Sequence, residues 1–416
     1  PQVFWSAIIN ELPSDIAPRL RRVFLHRVAR LPQTVVTELR YTLGQWLEKN
    51  LVKVLDFDEV LGWAVYDHIV DGILNGGIDA LNSGLGEVRQ GGKVIQRSRR
   101  TFDHAINGPL GMCACALFHA VPGEKQEAGS LIPDHIKSRV ERLIMAPGEG
   151  GDHAVSITTS NLNWLMFVDP GWTEERLIPM LAFEHPASEP AWNGFFHSTQ
   201  LPSQRLAEII KPLLLGLFPR VERFTWDRDL SNVASRWLGF MRLLHPDEPS
   251  GLSRGEIRSV LRAMSDDTRN RFISWLSRVG QENEKGWVKH VIPLINEDWP
   301  RERQYRTTAS VRAWISLLDD TGSSFPDVYV AVKKFLVPVE TNDHPFYRFT
   351  GEISDEKPIT ALFPETTLDL MERVTPQVLA RPPYELPKVL ALIAETEPGL
   401  KSDPRYLRLI DLVERS

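Results

Sequence analysis

Cysteine is scarce in this chain of 416 residues, and the two that occur, Cys113 and Cys115, stand together in the segment GMCACALF. A C-x-C pair without a second pair cannot supply the four ligands of a structural zinc site. Residues two apart on a helix point to different faces, so the pair is also badly placed for a disulfide. We predict two small buried helix residues in a reducing cytoplasm.

Long apolar runs and targeting signals are missing as well. No run reaches the roughly 18 residues that a membrane-spanning helix needs, and no secretory signal precedes the first helix. The chain starts at Pro1 and enters directly on the apolar segment VFWSAII. We expect a fragment of a longer cytoplasmic protein, with no membrane partner.

Positive charge is not in excess. The net charge is −6 and the pI is about 6.1, which argues against a dedicated nucleic-acid binder, since such domains are usually strongly basic. An apolar content of 42% with 25% charged residues is ordinary for a globular protein and argues against extensive disorder.

Motifs of catalysis are also missing. The glycine-rich NGGIDALNSGLGEV lacks the preceding strand and the spacing of a phosphate-binding loop. H-E-x-x-H does not occur, and the histidines are scattered. The letters G-x-S-x-G occur once, in GLSRG at 251–255, but without the preceding strand that a serine hydrolase needs there. The sequence therefore predicts no catalytic residue, no metal ligand and no cofactor.

What the sequence does contain is helical periodicity, clearest in residues 286–339. Apolar residues recur there at i, i+3, i+4 and i+7, the spacing of an amphipathic helix. Three predicted helices carry such stripes: Val288, Val291, Ile292 and Ile295; Val311, Trp314, Ile315 and Leu318; Val328, Ala331, Val332 and Phe335. Each is too short to be stable alone, so each stripe must pack against a neighbour.

Helix, turn and helix recur along the chain with a unit of roughly 35 to 50 residues, in the range of HEAT and armadillo repeats. We predict an all-α fold, an irregular α-solenoid, with an all-α multi-bundle chain as the alternative. Strand evidence is limited to VSITTS and KVIQ. The predicted divisions are an N-terminal helical segment 1–74, a glycine-rich loop 75–96, a helical repeat region 97–250 and a C-terminal helical domain 251–416.

Two basic clusters are candidate partner-binding sites. Arg97, Arg99 and Arg100 follow the glycine-rich loop, although arginines in such a run are often solvated or paired with acidic neighbours. Trp299 lies beside Arg301, Arg303 and Arg306 in NEDWPRERQYR. A tryptophan among arginines has the composition of an interaction hot spot if it is exposed, and is a core residue if it is buried.

A catalytic alternative uses an arginine followed by a histidine on one helical face, the active pair of a class of all-α ribonucleases. Arg21 with His26, and Arg99 with His104, have that spacing. A third alternative is a generic helical-repeat scaffold for protein interactions.

One resemblance gives the helical array a biological setting. The segment IPLINEDWPRERQYRTTASVRAWISLLDDTGSSFPDVYVAVKKFLVPV resembles the C-terminal region of bacterial anti-phage defence-associated sirtuins, chiefly in the WP-R-E-R turn and the FPDVY-AV helix start. SRRTFDHAINGPLGMCACALFHA and WLMFVDPGWTEERLIPMLAF are similar to the helical middle of such proteins. The resemblance covers the chain from about Arg97 onward, and its motifs are structural.

The resemblance implies a role without catalysis in this chain. Its glycine-rich NAD loop and catalytic histidine segment are not found here, so no catalytic residue is carried over. It implies a sensor and scaffold that regulates or assembles an N-terminal NAD-cleaving domain of the same protein. The implied trigger is a phage protein, and a second copy of the chain is a further candidate partner.

Overall fold

A computed structural model describes residues 2–11, 17–86, 89–91, 93–94, 98–121, 127–198, 201–224, 228–243, 248–282, 285–339, 346–350, 357–379 and 381–415. The chain forms two compact units, which we take separately. Unit 1 comprises Pro1–Leu217 with Val221–Leu230, and unit 2 comprises Phe218–Arg220 with Ser231–Ser416.

In the described part of unit 1, the regular secondary structure is helical except for one short β-hairpin. Its helices are α1 Gln2–Glu11, α2 Pro18–Val28, α3 Gln33–Glu38, α4 Arg40–Phe57, α5 Glu59–Asn75, α6 Phe102–Ile106, α7 Pro109–Ala120, α8 Asp134–Ile144, α9 Gly148–Ser160, α10 Leu162–Val168, α11 Pro170–Arg176, α12 Ser188–His197 and α13 Gln204–Leu217. Short 3₁₀ turns occur at Ile78–Leu81 and Ile178–Leu181, and a third, Phe218–Arg223, is divided between the two units. Strands β1 Arg89–Gln90 and β2 Lys93–Val94 pair antiparallel.

In the described residues of unit 2, the regular secondary structure is helical and contains no strand. After α14 Arg228–Leu243, which starts in unit 1, come α15 Arg254–Ala263, α16 Asp266–Gln281, α17 Ile292–Glu297, α18 Thr308–Asp319, α19 Phe325–Val332, α20 Ile359–Leu362, α21 Pro364–Val374, α22 Leu386–Thr396 and α23 Pro404–Glu414. A π-helical turn spans Trp287–Val291, and 3₁₀ turns span Arg303–Tyr305, Gly322–Ser324, Lys333–Phe335, Tyr347–Thr350 and Pro398–Ser402.

The all-α prediction is confirmed. In unit 1, α4 packs against α5 and α7, α7 packs against α9, and α9 packs against α8 and α12. The segment VSITTS, whose β-branched residues resembled a strand, lies within α9. The hydroxyls of Thr158 and Thr159 are satisfied inside the helix, because each donates to a carbonyl one turn earlier. The solenoid arrangement stays a prediction.

Both cysteines lie on helix α7 as free thiols. Cys113 is buried as predicted, whereas Cys115 is half-buried. Burial raises the pKa of each thiol to about 12, so neither forms a reactive thiolate near neutral pH.

The core of unit 2 is aromatic and centres on Trp299, which is 2% exposed. Its ring meets the Trp314 ring edge to face at 4.8 Å and lies parallel to Phe272 at 6.3 Å between centroids. Phe335 closes the cluster at 6.4 Å from Trp299. Large rings bury much apolar surface and gain further from such geometries. Of the two predicted roles for Trp299, the structure supports the core one.

The second and third predicted apolar stripes are buried at every residue. The prediction for the first stripe is wrong at one residue, Val288, which is 57% exposed. Trp287 is buried instead, because the π-helical turn holds one more residue than an α-turn and shifts the helical phase. Gly280 on α16 makes room for the indole, since a Cβ there would lie 2.4 Å from the Trp287 ring. In the same turn, Lys289 is exposed and His290 is half-buried.

We predict that Trp299→Ala lowers the free energy of unfolding by about 3–5 kcal/mol, the usual cost of removing a buried large aromatic. Chemical denaturation followed by circular dichroism measures it. Tyr384→Ala is the control, because Tyr384 is 70% exposed. A loss for Trp299→Ala no larger than that for the control would contradict the central position of this ring.

Candidate functional site

The predicted arginines of unit 1 are held by acidic side chains of α9. Arg99 donates from Nε to Glu149 Oε1 at 2.5 Å. Its Nη2 donates to the carbonyl of Ser83 and its Nη1 to the carbonyl of Leu85. Arg100 forms a bidentate ion pair with Asp152, donating from Nε to Oδ2 at 2.8 Å and from Nη2 to Oδ1 at 2.9 Å. Both guanidiniums thus hold the segment before α6 against α9.

Arg97 lies outside the described residues, and partner binding by this cluster stays a prediction.

The structure does bring Arg99 and His104 together, at one serine. Ser83 Oγ accepts from Arg99 Nη2 at 3.2 Å and lies 2.6 Å from Nδ1 of His104. Burial, then the charge of Arg99, lowers the pKa of His104 and favours the neutral imidazole. The donors of Arg99 are directed at Glu149, Ser83 and Leu85. Because these donors are directed at protein groups, Arg99 and His104 are better suited to holding the structure together than to binding a phosphate.

The other ribonuclease candidate has a different setting. The Arg21 guanidinium lies 5.3 Å from the centroid of the Phe57 ring, a cation–π distance. His26, on the same helix α2, is exposed.

A second histidine, in contact with Arg99, is fully buried. His153 lies with Nε2 3.1 Å from the Arg99 carbonyl, whereas Nδ1 has no hydrogen-bond partner. Gly108 packs directly on that nitrogen, since a Cβ at residue 108 would lie 2.3 Å from it. Burial lowers the pKa of His153. The neutral ring therefore donates from Nε2, and a second proton on Nδ1 would have no acceptor.

In unit 2 the predicted arginines lie on the 296–306 turn, the segment from Asn296 to Arg306 that contains Trp299. Arg301 is exposed and donates to the carbonyl of Asn296 at 2.7 Å. Arg306 donates to the carbonyl of Arg301 at 2.9 Å and so braces the turn. Arg303 is exposed, and its side chain makes no hydrogen bond or ion pair within the described residues.

Sequence analysis missed a further cation at this turn, Lys334. Its Nζ donates to Oδ1 of Asn296 at 2.6 Å, so Asn296 holds Lys334 by its side chain and Arg301 by its carbonyl. Burial, then the charge of Arg301, lowers the pKa of Lys334. A pKa lowered by a like charge indicates that two cations are close together. The sequence signal was weak, a KK pair after α19 with no spacing that relates it to Asn296.

A pocket of about 700 Å³ adjoins the same turn, within the usual size range of small-molecule sites. It lies between the end of α14, the start of α15 and the π-helical turn before α17. Its polar lining includes Arg242, Arg254, Lys289, His290, Glu297 and Asp298. The 296–306 turn therefore contributes both to this pocket and to the surface that carries Arg301.

An ion pair is buried in the pocket wall. Asp298 is 1% exposed in its side chain and accepts from Arg242 Nε at 2.7 Å, while its other oxygen, Oδ1, has no partner. Burial raises the pKa of Asp298 more strongly than Arg242 lowers it. Glu297, which also lines the pocket, is paired with Arg254. Both pocket carboxylates are thus matched by arginines, and Lys289 and His290 are the remaining basic residues of the lining.

Searches for relatives leave the chain without a family assignment: no family model, curated protein or solved structure matches it. In the described residues, no helix is long and apolar enough to cross a membrane. Those residues also contain no group of three or more His, Cys, Asp or Glu side chains placed to hold a metal ion.

We predict that unit 1 loses stability as the pH falls below about 6.5, the ordinary histidine pKa. The pKa of His153 is lowered in the folded chain, so the unfolded chain binds the proton first. The stabilising contribution is complete above about 6.5 and declines as the pH falls towards the folded-state value. Denaturation at a series of pH values measures it.

His153→Gln, which keeps a donor for the Arg99 carbonyl, should flatten this slope between about pH 7 and 5. The matched control is His26→Gln, at an exposed position, which should leave the slope unchanged. Equal slopes in all three proteins would show that His153 does not cause the acid sensitivity.

Proposed function

We propose that this chain is a recognition and regulatory module, and that the 296–306 turn receives an acidic segment of a partner protein. The observation that carries this is the group of cations at the turn. Arg301, Arg303 and Lys334 form no ion pair with a carboxylate in the described part of the chain. Glu302, which lies between the two arginines in the sequence, forms an ion pair with Arg262 of α15.

Many arginines of unit 2 are matched with nearby carboxylates, as in Arg271 with Asp267 and Arg415 with Asp411. The 296–306 turn differs because Arg301 and Lys334 both bond to Asn296 and lie close together. Holding like charges close together without a counter-ion is unfavourable. A carboxylate-rich partner would relieve that repulsion and would add charge-assisted hydrogen bonds to the guanidiniums.

The turn is also rigid enough to act as a recognition element. Trp299 anchors it in the aromatic core, and Arg306 braces its backbone from inside. Because Asn296 holds Arg301 and Lys334 before a partner arrives, these two side chains lose little entropy on binding. The resemblance to defence-associated sirtuins supplies the setting of the proposal: a phage protein as partner, and an N-terminal NAD-cleaving domain as the element regulated.

Binding of a fluorescein-labelled, glutamate-rich peptide, measured by fluorescence anisotropy at low salt, tests the surface. We expect Arg301→Glu/Arg303→Glu to weaken binding by about tenfold or more, equivalent to about 1.4 kcal/mol or more. The control Arg271→Glu/Arg415→Glu makes the same charge change at arginines that have carboxylate partners. Equal weakening by both variants would reduce the effect to net charge and contradict the proposal.

The ribonuclease alternative has one observation in its favour, the shared contact of Arg99 and His104 with Ser83. We expect the purified chain neither to cleave RNA nor to consume NAD. If RNA cleavage is found, His104→Ala separates the two readings, with His26→Ala alongside for the Arg21 pair. Cleavage lost on either replacement would support the nuclease, and NAD consumption by this chain would contradict a non-catalytic module.

A further inference from the structure

The helix α2 of unit 1 concentrates positive charge that the recognition of an acidic segment by unit 2 does not use. Residues 17–31 contain five arginines and no acidic residue, in a chain whose net charge is −6. The inner side of the helix is fixed by packing, since Phe24, Leu25 and Val28 are buried. The Phe24 ring also meets Trp46 of α4 edge to face at 5.7 Å. The arginines therefore project from a firmly anchored helix.

The outer side of this helix is open to solvent. Its exposed residues follow the spacing i, i+3, i+4, i+7, i+8 and i+11, which places them in one stripe on a helix. The stripe, here named the α2 basic face, consists of Arg19, Arg22, Val23, His26, Arg27 and Arg30, the last in the turn after α2. At about 1.5 Å per residue, the stripe is about 16 Å long.

Three of the four arginines on the α2 basic face are not neutralised by the protein. Arg22 is paired with Asp58, the N-cap residue of α5, at 3.2 Å. Arg19, Arg27 and Arg30 make no side-chain hydrogen bond or ion pair within the described residues. Each of these guanidiniums keeps its fork of donors, which fits two oxygens of a phosphate group.

The composition of the stripe distinguishes between anionic partners. Val23 is its one apolar member, whereas an amphipathic partner helix would need a wider apolar stripe. The stripe contains no Phe, Tyr or Trp on which the bases of a single strand would stack. A double helix, by contrast, presents one negative charge per about 1.7 Å of its axis, so a row of this length can meet several phosphates at once.

We propose that the α2 basic face binds the phosphate backbone of double-stranded nucleic acid without reading its sequence. Contacts to phosphate position a protein on a duplex and carry no base information. The negative net charge confines this binding to one face of the chain. We expect the affinity of a non-specific complex, with a dissociation constant of about 10⁻⁴ to 10⁻⁶ M at physiological salt.

Fluorescence anisotropy of the whole chain with labelled DNA and RNA duplexes of mixed sequence tests the proposal. Three free arginines predict a slope of about −3 for the logarithm of the binding constant against the logarithm of the salt concentration. Arg19→Gln/Arg30→Gln should weaken binding several-fold at low salt and bring the slope about two units closer to zero, since each lost phosphate contact removes about one. The DNA and RNA arms show which duplex the face prefers.

A matched control removes the same charge elsewhere in unit 1. Arg176→Gln/Arg205→Gln replaces two exposed arginines that have carboxylate partners, and should leave the affinity and the slope unchanged. Arg19→Gln/Arg30→Gln should in turn leave binding of the glutamate-rich peptide unchanged. The proposals for the two units can therefore fail separately.

Three results would overturn the proposal. The first is no binding of either duplex at low salt. The second is an unchanged salt slope in Arg19→Gln/Arg30→Gln, or an equal change in the control variant. The third is that Arg19→Gln/Arg30→Gln loses binding of the glutamate-rich peptide but keeps binding of the duplexes, which would assign the α2 basic face to an acidic protein instead.

Discussion

The burial of Trp299 is the interaction on which the proposed partner-binding turn depends. Its indole lies among Phe272, Trp314 and Phe335, which belong to α16, α18 and the 3₁₀ turn after α19. A ring held from three directions fixes the backbone on either side of it. The residues just before Trp299 line the pocket, and those after it form the cationic surface. One apolar anchor therefore positions two polar features with different chemistry.

The two predicted arginine clusters have contrasting roles. In unit 1, Arg99 and Arg100 are matched with Glu149 and Asp152, and their donors hold a segment of chain in place. Such half-buried pairs contribute modestly to stability but specify where the segment lies. In unit 2, Arg301 is held only by a backbone carbonyl and Arg303 makes no ion pair in the described residues. Charge that the fold does not neutralise is available for a partner.

Sequence periodicity predicted the fold class and most of the buried stripes, because helical burial repeats at a spacing that local sequence records. Its failure at Val288 has a local cause, the π-helical turn around Trp287, which changes the number of residues per turn. The cysteines were also predictable, since an apolar neighbourhood and the lack of a second pair are visible in the sequence.

The polar features were only partly predictable. The 296–306 turn could be identified from composition, but the burial of Trp299 depends on rings up to 36 positions away, as Trp299 and Phe335 show. The same limit applies to Glu149, which pairs with Arg99 across 50 positions, and to Lys334, which meets Asn296 across 38. No local pattern encodes such pairings. The pocket was missed for the same reason, since α14, α15 and the π-helical turn contribute to it together.

Hydrogen–deuterium exchange of the whole chain, with and without the glutamate-rich peptide, tests the central claim most directly. The amides of the 296–306 turn and of the segment around Lys334 should become protected when the peptide binds. The amides around Arg99 and Arg100 should exchange as before. Protection confined to the Arg99 segment, with none at the 296–306 turn, would contradict the account.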